Sequence, residues 1–363
     1  MSAGSINTAG HIGIAGAGLA GRMLAERLSR TGWDVTLVDP DPVGTESCAH
    51  VGAGMLAPWC EREHSEPLIT QLGLMALDLW PDILSHLSKP VYFQHKGSLV
   101  VAHPNDRREL DRLADMVRME PDGTTAMESV QGHALADLEP DLAGRFHSGL
   151  FFPNEGQVDN LGLMASLKET LIYRNVAWLH DRVTRLAKGE LHTLESGCLR
   201  FDLVVDCRGL QAQETLTELR GVRGEVIRLH APDVQLNRPV RVMHPRYPIY
   251  IVPRPEQRYV IGATSIESED RSEPSVRSIM ELLSAAYALH SGFAEARILS
   301  TGVNCRPAFP DNLPKIVWQD GLMVINGLYR HGFLLSPIVT AIAAQLIDGT
   351  TIDDPVLGQI VSV

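Results

Sequence analysis

The segment from residue 11 to residue 39 constrains the fold more than any other part of the chain. His11–Ala15 is a short apolar run typical of a strand. The motif Gly16-Ala17-Gly18-Leu19-Ala20-Gly21 follows at once, and apolar residues with helical spacing continue through Arg22–Thr31. Val35–Val38 is a second strand candidate that ends at Asp39. This order predicts the first βαβ unit of a Rossmann-like α/β domain.

The glycine positions predict what this unit binds. Gly16 permits a tight turn from strand to helix, Gly18 lets a pyrophosphate approach the backbone, and Gly21 lets the helix pack closely on the strand. The helix N-terminus then presents free N–H groups and a positive dipole end to the phosphates. Asp39 is placed to accept hydrogen bonds from the ribose hydroxyls of an adenosine. A glycine motif alone is weak evidence, but the whole unit predicts dinucleotide binding.

A second glycine-rich segment bears on which dinucleotide is bound. FAD lies extended in its binding site and needs contacts from several distant segments. The first motif stands at the extreme N-terminus, and Ser47–Pro58 contains the run Gly52-Ala53-Gly54-Met55-Leu56. Small residues there would let the backbone approach the ribityl chain and the flavin ring. The alternative is a flexible surface loop, and the residues alone leave both interpretations open.

Length, charge and cysteine content limit the class of protein. A chain of 363 residues is long enough for two domains. A net charge of -12 argues against nucleic acid and anionic membranes as partners. We see no signal peptide, no apolar stretch of bilayer-spanning length, no Cys-x-x-Cys pair and no metal-binding spacing. We therefore expect a soluble, cytoplasmic protein with reduced thiols, no metal and a disordered start over Met1–Gly10.

Further segments give the chain a resemblance to a known family. They are Gly16–Asp39, Gly52–Leu56, Gly221–Glu225, Tyr250–Arg254 with Gly262–Thr264, and Arg306–Pro314 with Gly327–Pro337. With these segments the sequence resembles the D-amino-acid oxidase superfamily, and most closely the glycine oxidases of the thiamine-pathway type. The likeness covers residues 11–346, which is nearly the whole chain, and the last pair of segments is the most specific.

The resemblance implies an α/β fold with two interleaved domains. A Rossmann-like FAD-binding domain would use residues 1–85, 145–215 and 300–363. An α+β substrate-binding domain with a mixed antiparallel sheet would use residues 86–144 and 216–299. FAD is then the expected cofactor, and a small amino acid and O2 are the expected substrates. A homo-oligomer stays open.

The periodicity of the chain agrees with this division in outline. The predicted strands are Leu99–Ala102, Tyr247–Val252 and Tyr259–Ile261, the last two joined by a hairpin turn. Val276–His290 has the apolar spacing of a helix. Pro337–Leu346 predicts a closing apolar helix with Pro337 in its first turn, and Gly349 is expected to end it.

Three residues are candidates for the amino-acid site. Arg306 offers a two-pronged donor that fits a carboxylate, and the resemblance supports this role over a surface arginine or a structural ion pair. Tyr250 would donate its hydroxyl to the same carboxylate, although a core aromatic residue is a serious alternative. Arg330 could contact substrate, flavin or an acidic neighbour. No Asp or His is assigned as a catalytic base, and neither His244 nor His331 is assigned a catalytic role.

The remaining cofactor contacts are implied by the resemblance. The segment before the last helix would embrace the flavin, and its backbone N–H groups would stabilise negative charge at the N1–C2=O edge. The residues expected to contact FAD in the later parts of the chain are Val183, Gly209, Gly327, Tyr329, Arg330, His331, Gly332, Phe333 and Leu334. Ser47 is expected to contribute from the N-terminal part, together with Gly52–Leu56.

The sequence departs from the family at a few positions. Asp206-Cys207-Arg208-Gly209-Leu210 replaces a stretch of small residues, and only Gly209 is retained. Ser265 stands where relatives can have Met, and a smaller side chain there would widen the substrate pocket. His331 stands where they can have Asn. These departures bear on which amino acid is preferred.

Three functions compete at this point. The first is an FAD-dependent oxidase that converts glycine, sarcosine or a small D-amino acid to the imine, with O2 reduced to H2O2. By family analogy, the imine would feed thiazole synthesis for thiamine. The second is a flavin-dependent amine dehydrogenase that passes electrons to a carrier. The third is a flavoprotein that modifies a partner protein. We favour the oxidase.

Overall fold

The computed structural model describes residues 10–244, 249–319 and 321–362. Its strands, in chain order, are β1 His11–Ala15, β2 Asp34–Val38, β3 Met55–Leu56, β4 Phe93–Gln94, β5 Ser98–Ala102, β6 Glu128–Gln131, β7 Ser148–Phe152, β8 Gly156–Val158, β9 Ala177–Leu179, β10 Val183–Ala187, β11 Glu190–Thr193, β12 Gly197–Arg200, β13 Leu203–Asp206, β14 Arg220–His230, β15 Val240–Met243, β16 Ile249–Arg254, β17 Arg258–Gly262, β18 Ile266–Glu267, β19 Arg297–Ala308, β20 Lys315–Gln319, β21 Leu322–Asn326 and β22 Val361–Ser362. Its α-helices are α1 Leu19–Arg30, α2 Cys48–Val51, α3 Pro67–Leu77, α4 Trp80–Ser85, α5 Arg107–Arg118, α6 Gly123–Ala126, α7 His133–Leu138, α8 Asn160–Tyr173, α9 Val276–Leu289 and α10 Gly332–Ile347.

The first large sheet confirms the predicted Rossmann-like unit. Its strand order is β22-β20-β21-β13-β1-β2-β9, and β1 pairs in parallel with both β2 and β13. Apolar residues of β1 and α1 pack with those of α8 and α10 in one core. The helix begins at Leu19, three residues before the predicted start, because Gly18 occupies the N-cap position. The carboxyl ends of β1, β2 and β13 meet at one edge.

The second large sheet is mixed and mostly antiparallel, as expected. Its order is β18-β14-β17-β16-β15-β5-β7-β6, and β19 pairs with β14. Among the described neighbouring strands of this sheet, only β15 and β5 run parallel to each other. The predicted hairpin is confirmed, since β16 and β17 pair from Tyr250–Gly262 to Arg254–Arg258. Tyr247, the expected start of that strand, lies outside the described residues, as does the expected disordered start up to residue 9.

Two strands of the second sheet come from segments expected in the FAD-binding domain. β7 pairs with β5 and β6, although residues 145–215 were expected to belong to the cofactor domain. β19 pairs with β14 along almost its whole length and so carries residues 300–308 into this sheet. One end of β19 nevertheless reaches the first sheet, because Asn304–Pro307 line the same pocket as Gly16–Ala20.

The last helix differs from its prediction in where it starts. α10 begins at Gly332, so Pro337 lies inside the helix and not in its first turn. The helix ends at Ile347, and Gly349 follows with φ 79°, as predicted for a stop. Contrary to the sequence expectation, Tyr329–Ile347 is long and apolar enough to span a bilayer by length and composition. Its window is 67% buried inside the protein, where α10 packs on α1 and α3.

Candidate cofactor cleft and substrate cavity

Two adjoining cavities lie between the large sheets. The cofactor cleft has about 1250 Å³ of empty space and runs from the Gly16–Gly21 turn to the start of α10. The substrate cavity is about half as large, with about 600 Å³. The residues that border both are Cys48, Gly52, Asn304, Arg306, Arg330 and Phe333. The cleft passes the glycine turn, Asp39 and the start of α10, as the length of a dinucleotide requires, and the cavity is the smaller of the two spaces.

The glycine turn is folded as its sequence predicts. Gly16 has φ 95°, and its N–H donates to the carbonyl oxygen of Val38 at 2.9 Å. A Cβ on Gly21 would lie 2.0 Å from the Gly16 carbonyl oxygen, so helix and turn touch there. A Cβ on Gly18 would meet no protein atom within 4 Å. Gly18 therefore faces the open cleft, beside the N–H groups at the start of α1.

Asp39 fixes the other side of this turn. Its Oδ2 accepts a hydrogen bond from the Ala17 N–H at 2.6 Å, and its Oδ1 accepts one from the Asp41 N–H at 2.8 Å. Burial raises the pKa of Asp39, and these two N–H groups oppose that effect. A carboxylate has about four acceptor sites, so Asp39 keeps capacity for a ribose hydroxyl in the cleft that it borders.

The glycine-rich segment after α2 is held in place on both sides. Met55 and Leu56 form β3, which pairs with β8. Arg254 Nη2 donates to the carbonyl oxygen of Ala53 at 2.5 Å and to that of Val158 at 3.0 Å. Ser47 borders the cleft, while Gly52–Met55 borders the substrate cavity. The segment therefore forms the wall between the two spaces and is not a surface loop.

Two later segments close the cleft. Gly209 has φ 56° in the turn after β13, and its carbonyl oxygen accepts a hydrogen bond from Asn326 Nδ2 at 2.9 Å. Asp206 and Arg208 form a two-pronged ion pair next to it, with contacts of 3.0 and 2.8 Å. From the last part of the chain, the residues that border the cleft are Gly327, Tyr329, Arg330, Gly332 and Phe333.

Arg306 and Tyr250 reach the substrate cavity from β19 and β16, which are separated in the sheet by β14 and β17. Arg306 extends over Gly224, where a Cβ would lie 2.2 Å from Nη2 of its guanidinium. Tyr250 extends over Gly262 in the same way, with its ring atoms 2.8 Å from the position of a Cβ. Each glycine thus makes room for the side chain of its neighbour. Burial raises the pKa of Tyr250, so this residue keeps its hydroxyl proton as a donor.

A buried carboxylate that the sequence interpretation missed lies behind the cavity. Arg330 Nη2 donates to Glu61 Oε1 at 2.8 Å, and His331 Nδ1 lies 3.8 Å from Glu61 Oε2. The acidic neighbour was one of three contacts open to Arg330. No sequence motif marks Glu61 as the partner of Arg330. The two residues are 269 positions apart, and only the fold brings them together. Cys48 and Asn304, which border both cavities, were missed for the same reason.

Several residues expected at the site are not among those that border the two cavities. Leu56 and Leu334 are buried in the apolar core, and His331 is buried beside Glu61. Val183 lies on β10 in a separate small sheet with β11 and β12. Gly21 acts through packing alone. His244 borders a different pocket. Ser265 is exposed and borders neither cavity, although its Oγ lies 3.4 Å from the hydroxyl of Tyr329, which borders the cleft.

One group of residues of metal-ligand type is brought together by the fold, although its spacing in the sequence does not predict a metal site. Glu190, His192 and Cys198 have ligand atoms within 4.8 Å of one another, because His192 and Cys198 face each other across β11 and β12. Glu190 is also paired with Arg200 at 3.4 Å. The group borders neither cavity.

The geometry of the cleft fits FAD. Open space at Gly18, free N–H groups at the start of α1 and small residues at the far end suit a pyrophosphate, a ribityl chain and a flavin ring. With FAD in the cleft, the flavin end would lie against the substrate cavity, since Gly52, Arg306 and Phe333 border both spaces.

Comparison with known proteins places the chain in a family. The family of FAD dependent oxidoreductases (DAO) matches residues 11–346. A Rhizobium etli protein named as a thiamine biosynthesis oxidoreductase, ThiO, is 43% identical over 92% of this chain and 94% of its own length. The chain also matches the bifunctional protein ThiO/ThiG of Nostoc sp., at 27% identity, and spans 52% of that protein. The crystal structure of glycine oxidase from Geobacillus kaustophilus has a TM-score of 0.83 and 25% identity, with 96% of each chain covered. This chain therefore belongs to the FAD-dependent oxidoreductase family, and FAD is its cofactor.

Proposed function

We propose that this chain is an amino-acid oxidase that converts glycine to the corresponding imine and transfers the electrons to O2, which forms H2O2. One observation carries the proposal: Arg306 borders both the cofactor cleft and a small cavity, and no carboxylate among the described residues lies within 4.0 Å of its guanidinium. An arginine in that position suits the carboxylate of an amino acid whose α-carbon faces the flavin end of the cleft.

The residues of the cavity orient the substrate. The Arg306 guanidinium would hold the carboxylate through two hydrogen bonds, and the Tyr250 hydroxyl would donate a third. Gly224 and Gly262 leave the space that these two side chains occupy. When bound, FAD supplies the acceptor for the electrons of the substrate α-C–H bond. The protein contributes position, since a reacting atom displaced by about 1 Å can cost on the order of a hundredfold in rate.

The lining of the cavity favours an uncharged substrate amine. Of the described residues that border it, none is Asp, Glu, His or Lys. No side chain there stabilises an ammonium group by a negative charge, so loss of the ammonium proton is favoured. This agrees with the expectation that amine oxidation needs no dedicated side-chain base once that proton is lost.

The size of the cavity favours small substrates. Apolar side chains border its walls, among them Val51, Val226 and Phe333. Glycine, sarcosine and small D-amino acids fit beside a carboxylate held at Arg306, whereas a bulky side chain would meet these walls. The names of the Rhizobium etli and Geobacillus kaustophilus relatives support glycine as substrate and thiamine biosynthesis as the setting. The imine product would then supply thiazole formation.

A cytoplasmic location is part of the proposal. The five cysteines are all free, and Cys60, Cys207 and Cys305 are buried as thiols. Free thiols are typical of a reducing compartment.

An anaerobic titration tests the oxidase function. Purified protein with its FAD is mixed with glycine in the absence of O2, and bleaching of the flavin absorbance is followed. We expect bleaching by glycine and sarcosine, then full recovery with release of H2O2 when O2 is admitted. Bleaching without recovery in O2 would indicate a dehydrogenase that uses another acceptor. If none of the tested amines bleaches the flavin, amine oxidation is contradicted and action on a partner protein is favoured.

A further inference from the structure

The substrate cavity is bordered by two arginines from distant parts of the chain. Arg306 lies on β19, and Arg330 lies in the turn before α10. A guanidinium binds a carboxylate through two parallel hydrogen bonds, so each arginine is able to hold one carboxylate. If both were free, the cavity would favour an amine that carries two carboxylates.

The two arginines differ in their partners. Arg330 Nη2 donates to Glu61 Oε1 at 2.8 Å, and the side chain of Glu61 is only 9% exposed. Arg306 Nη1 donates to the carbonyl oxygen of Thr264 at 3.2 Å, and no carboxylate of the described residues pairs with it. Arg306 is therefore open to a substrate carboxylate, whereas the charge of Arg330 is already neutralised within the protein.

The surroundings of Glu61 keep its carboxylate ionised. Burial alone would raise the pKa of Glu61, but its basic neighbours, Arg330 first among them, lower that pKa to about 2. Burial lowers the pKa of His331 to about 4, so this neighbour is neutral near pH 7. Arg241, the other basic neighbour, forms its own ion pair with Glu63. The net positive charge at the cavity is therefore that of Arg306.

We propose that Glu61 determines the substrate specificity of the cavity: it neutralises Arg330, and the cavity then accepts amines with one carboxylate and excludes amines with two. The inference rests on the proposed function in assigning the substrate carboxylate to Arg306. A second carboxylate would be repelled by the charge of Glu61. If it instead paired with Arg330, the ion pair between Arg330 and Glu61 would break and Glu61 would be buried without a partner. Both outcomes are unfavourable in a desolvated site.

The test compares ligands that bind but do not react. Acetate carries one carboxylate, and malonate and succinate carry two. Their Kd values are measured with purified holoenzyme through the change that each ligand causes in the flavin absorbance spectrum. For the natural chain we expect acetate to bind more tightly than either dicarboxylate, by about tenfold or more. Tighter binding of malonate or succinate by the natural chain would by itself overturn the proposal.

The variant Glu61→Gln keeps the size of the side chain and removes its charge. We expect the Kd ratio of dicarboxylate to acetate to fall by about tenfold or more, because a freed Arg330 gains a charged hydrogen bond to the second carboxylate. Glu61→Asp keeps the charge and should keep the preference for acetate. An unchanged ratio in Glu61→Gln would contradict the role of Glu61.

A double variant separates the freed arginine from general loosening of the site. In Glu61→Gln with Arg330→Gln neither charge is present, so the gain in dicarboxylate binding should disappear. A gain that persists without Arg330 would show that the mechanism is wrong. Because acetate, malonate and succinate do not react, these ratios are measurable even if no amine is oxidised. Failure of glycine to bleach the flavin would therefore contradict the proposed function. The role of Glu61 would still be decided by the Kd ratios.

Discussion

The cofactor cleft and the substrate cavity adjoin, yet the backbone shapes the phosphate end of the cleft and side chains shape the cavity. The phosphate end of the cleft is made of backbone: Gly16 turns the chain, Gly18 leaves open space, and the first N–H groups of α1 face it. The cavity is made of side chains, with Arg306 and Tyr250 reaching in from separate strands. A backbone site follows from one contiguous motif, whereas a side-chain site depends on the register of strands far apart in sequence.

This difference teaches where a substitution acts. At the cleft, an added side chain fills space that the ligand needs, and the protein itself need not change. At the cavity, a substitution changes charge that the protein has already balanced, as the Glu61–Arg330 pair shows.

The largest effect is expected at Gly18. Its backbone φ is -70°, which any residue adopts, and a Cβ there would meet no protein atom. Gly18→Val should therefore fold normally but lose most of its FAD, because the branched side chain occupies the path of the pyrophosphate. Bound flavin per protein, measured by absorbance, and circular dichroism check the two halves of this expectation.

Two other glycines serve as controls for Gly18. Gly358 also has open space around it but borders neither cavity, so Gly358→Val should keep its FAD. Gly21→Val should disturb the fold itself, since a Cβ would lie 2.0 Å from a carbonyl oxygen. A Gly18→Val protein with a full complement of FAD would show that the cofactor does not pass there.

The same contrast explains what could be predicted from the sequence. The βαβ unit was predictable because Gly16–Gly21 and Asp39 stand in one short segment with a known physical role for each position. Arg306 and Tyr250 were named through a family resemblance, and the structure brings them to one cavity. Glu61 was not predictable, because nothing near it in sequence indicates that its partner is Arg330.

Errors in the sequence interpretation have physical causes as well. Pro337 was placed in the first turn of the last helix, but the preceding apolar residues also pack in the core and extend the helix back to Gly332. Residues 300–308 were expected in the FAD-binding domain, yet β19 pairs with β14 and places them in the second sheet. Contacts of this kind depend on how strands are ordered in space, and local patterns do not report that order.

The second prediction concerns the charge that receives the substrate. Arg306→Ala should weaken glycine and acetate binding by roughly ten- to a hundredfold, because a charged hydrogen bond is worth about 1.5–3 kcal/mol. FAD content should change far less. Arg306→Lys should restore only part of the affinity, since an ammonium group cannot make the two-pronged contact. Titration of the flavin spectrum with acetate gives the affinities, and normal affinity in Arg306→Ala would mean that another residue holds the carboxylate.

The third prediction uses acid to probe the support behind the cavity. Burial lowers the pKa of His331 to about 4, below its usual value of about 6.5 in an unfolded chain. Between these values the unfolded chain binds more protons, so the free energy of unfolding falls as the pH drops through this window. By pH 5 the loss from His331 is about 2 kcal/mol.

The variant His331→Asn removes this proton uptake. Urea unfolding of both proteins at pH 7 and pH 5, with FAD in excess, should show a smaller acid loss in the variant by about 2 kcal/mol. Equal acid losses in the two proteins would show that His331 is accessible to protons in the folded state.

The smallest effect is expected at Ser265. From the sequence, the small side chain at this position was expected to widen the substrate pocket. Its side chain is exposed, borders neither cavity, and lies 3.4 Å from the Tyr329 hydroxyl. An exposed substitution typically changes free energies by about 0.5 kcal/mol or less, so Ser265→Met should alter the rate ratio of glycine to D-valine by only about twofold. Val226→Ala is the matched comparison, because Val226 borders the cavity and its truncation makes space there. That variant should raise the relative rate of D-valine by roughly tenfold, since one or two methyl groups in an apolar pocket are worth about 1–3 kcal/mol. Peroxide release from both amines measures the ratios. If Ser265→Met suppresses D-valine more strongly than Val226→Ala promotes it, then Ser265 faces the bound substrate, and the boundary of the cavity described here is wrong.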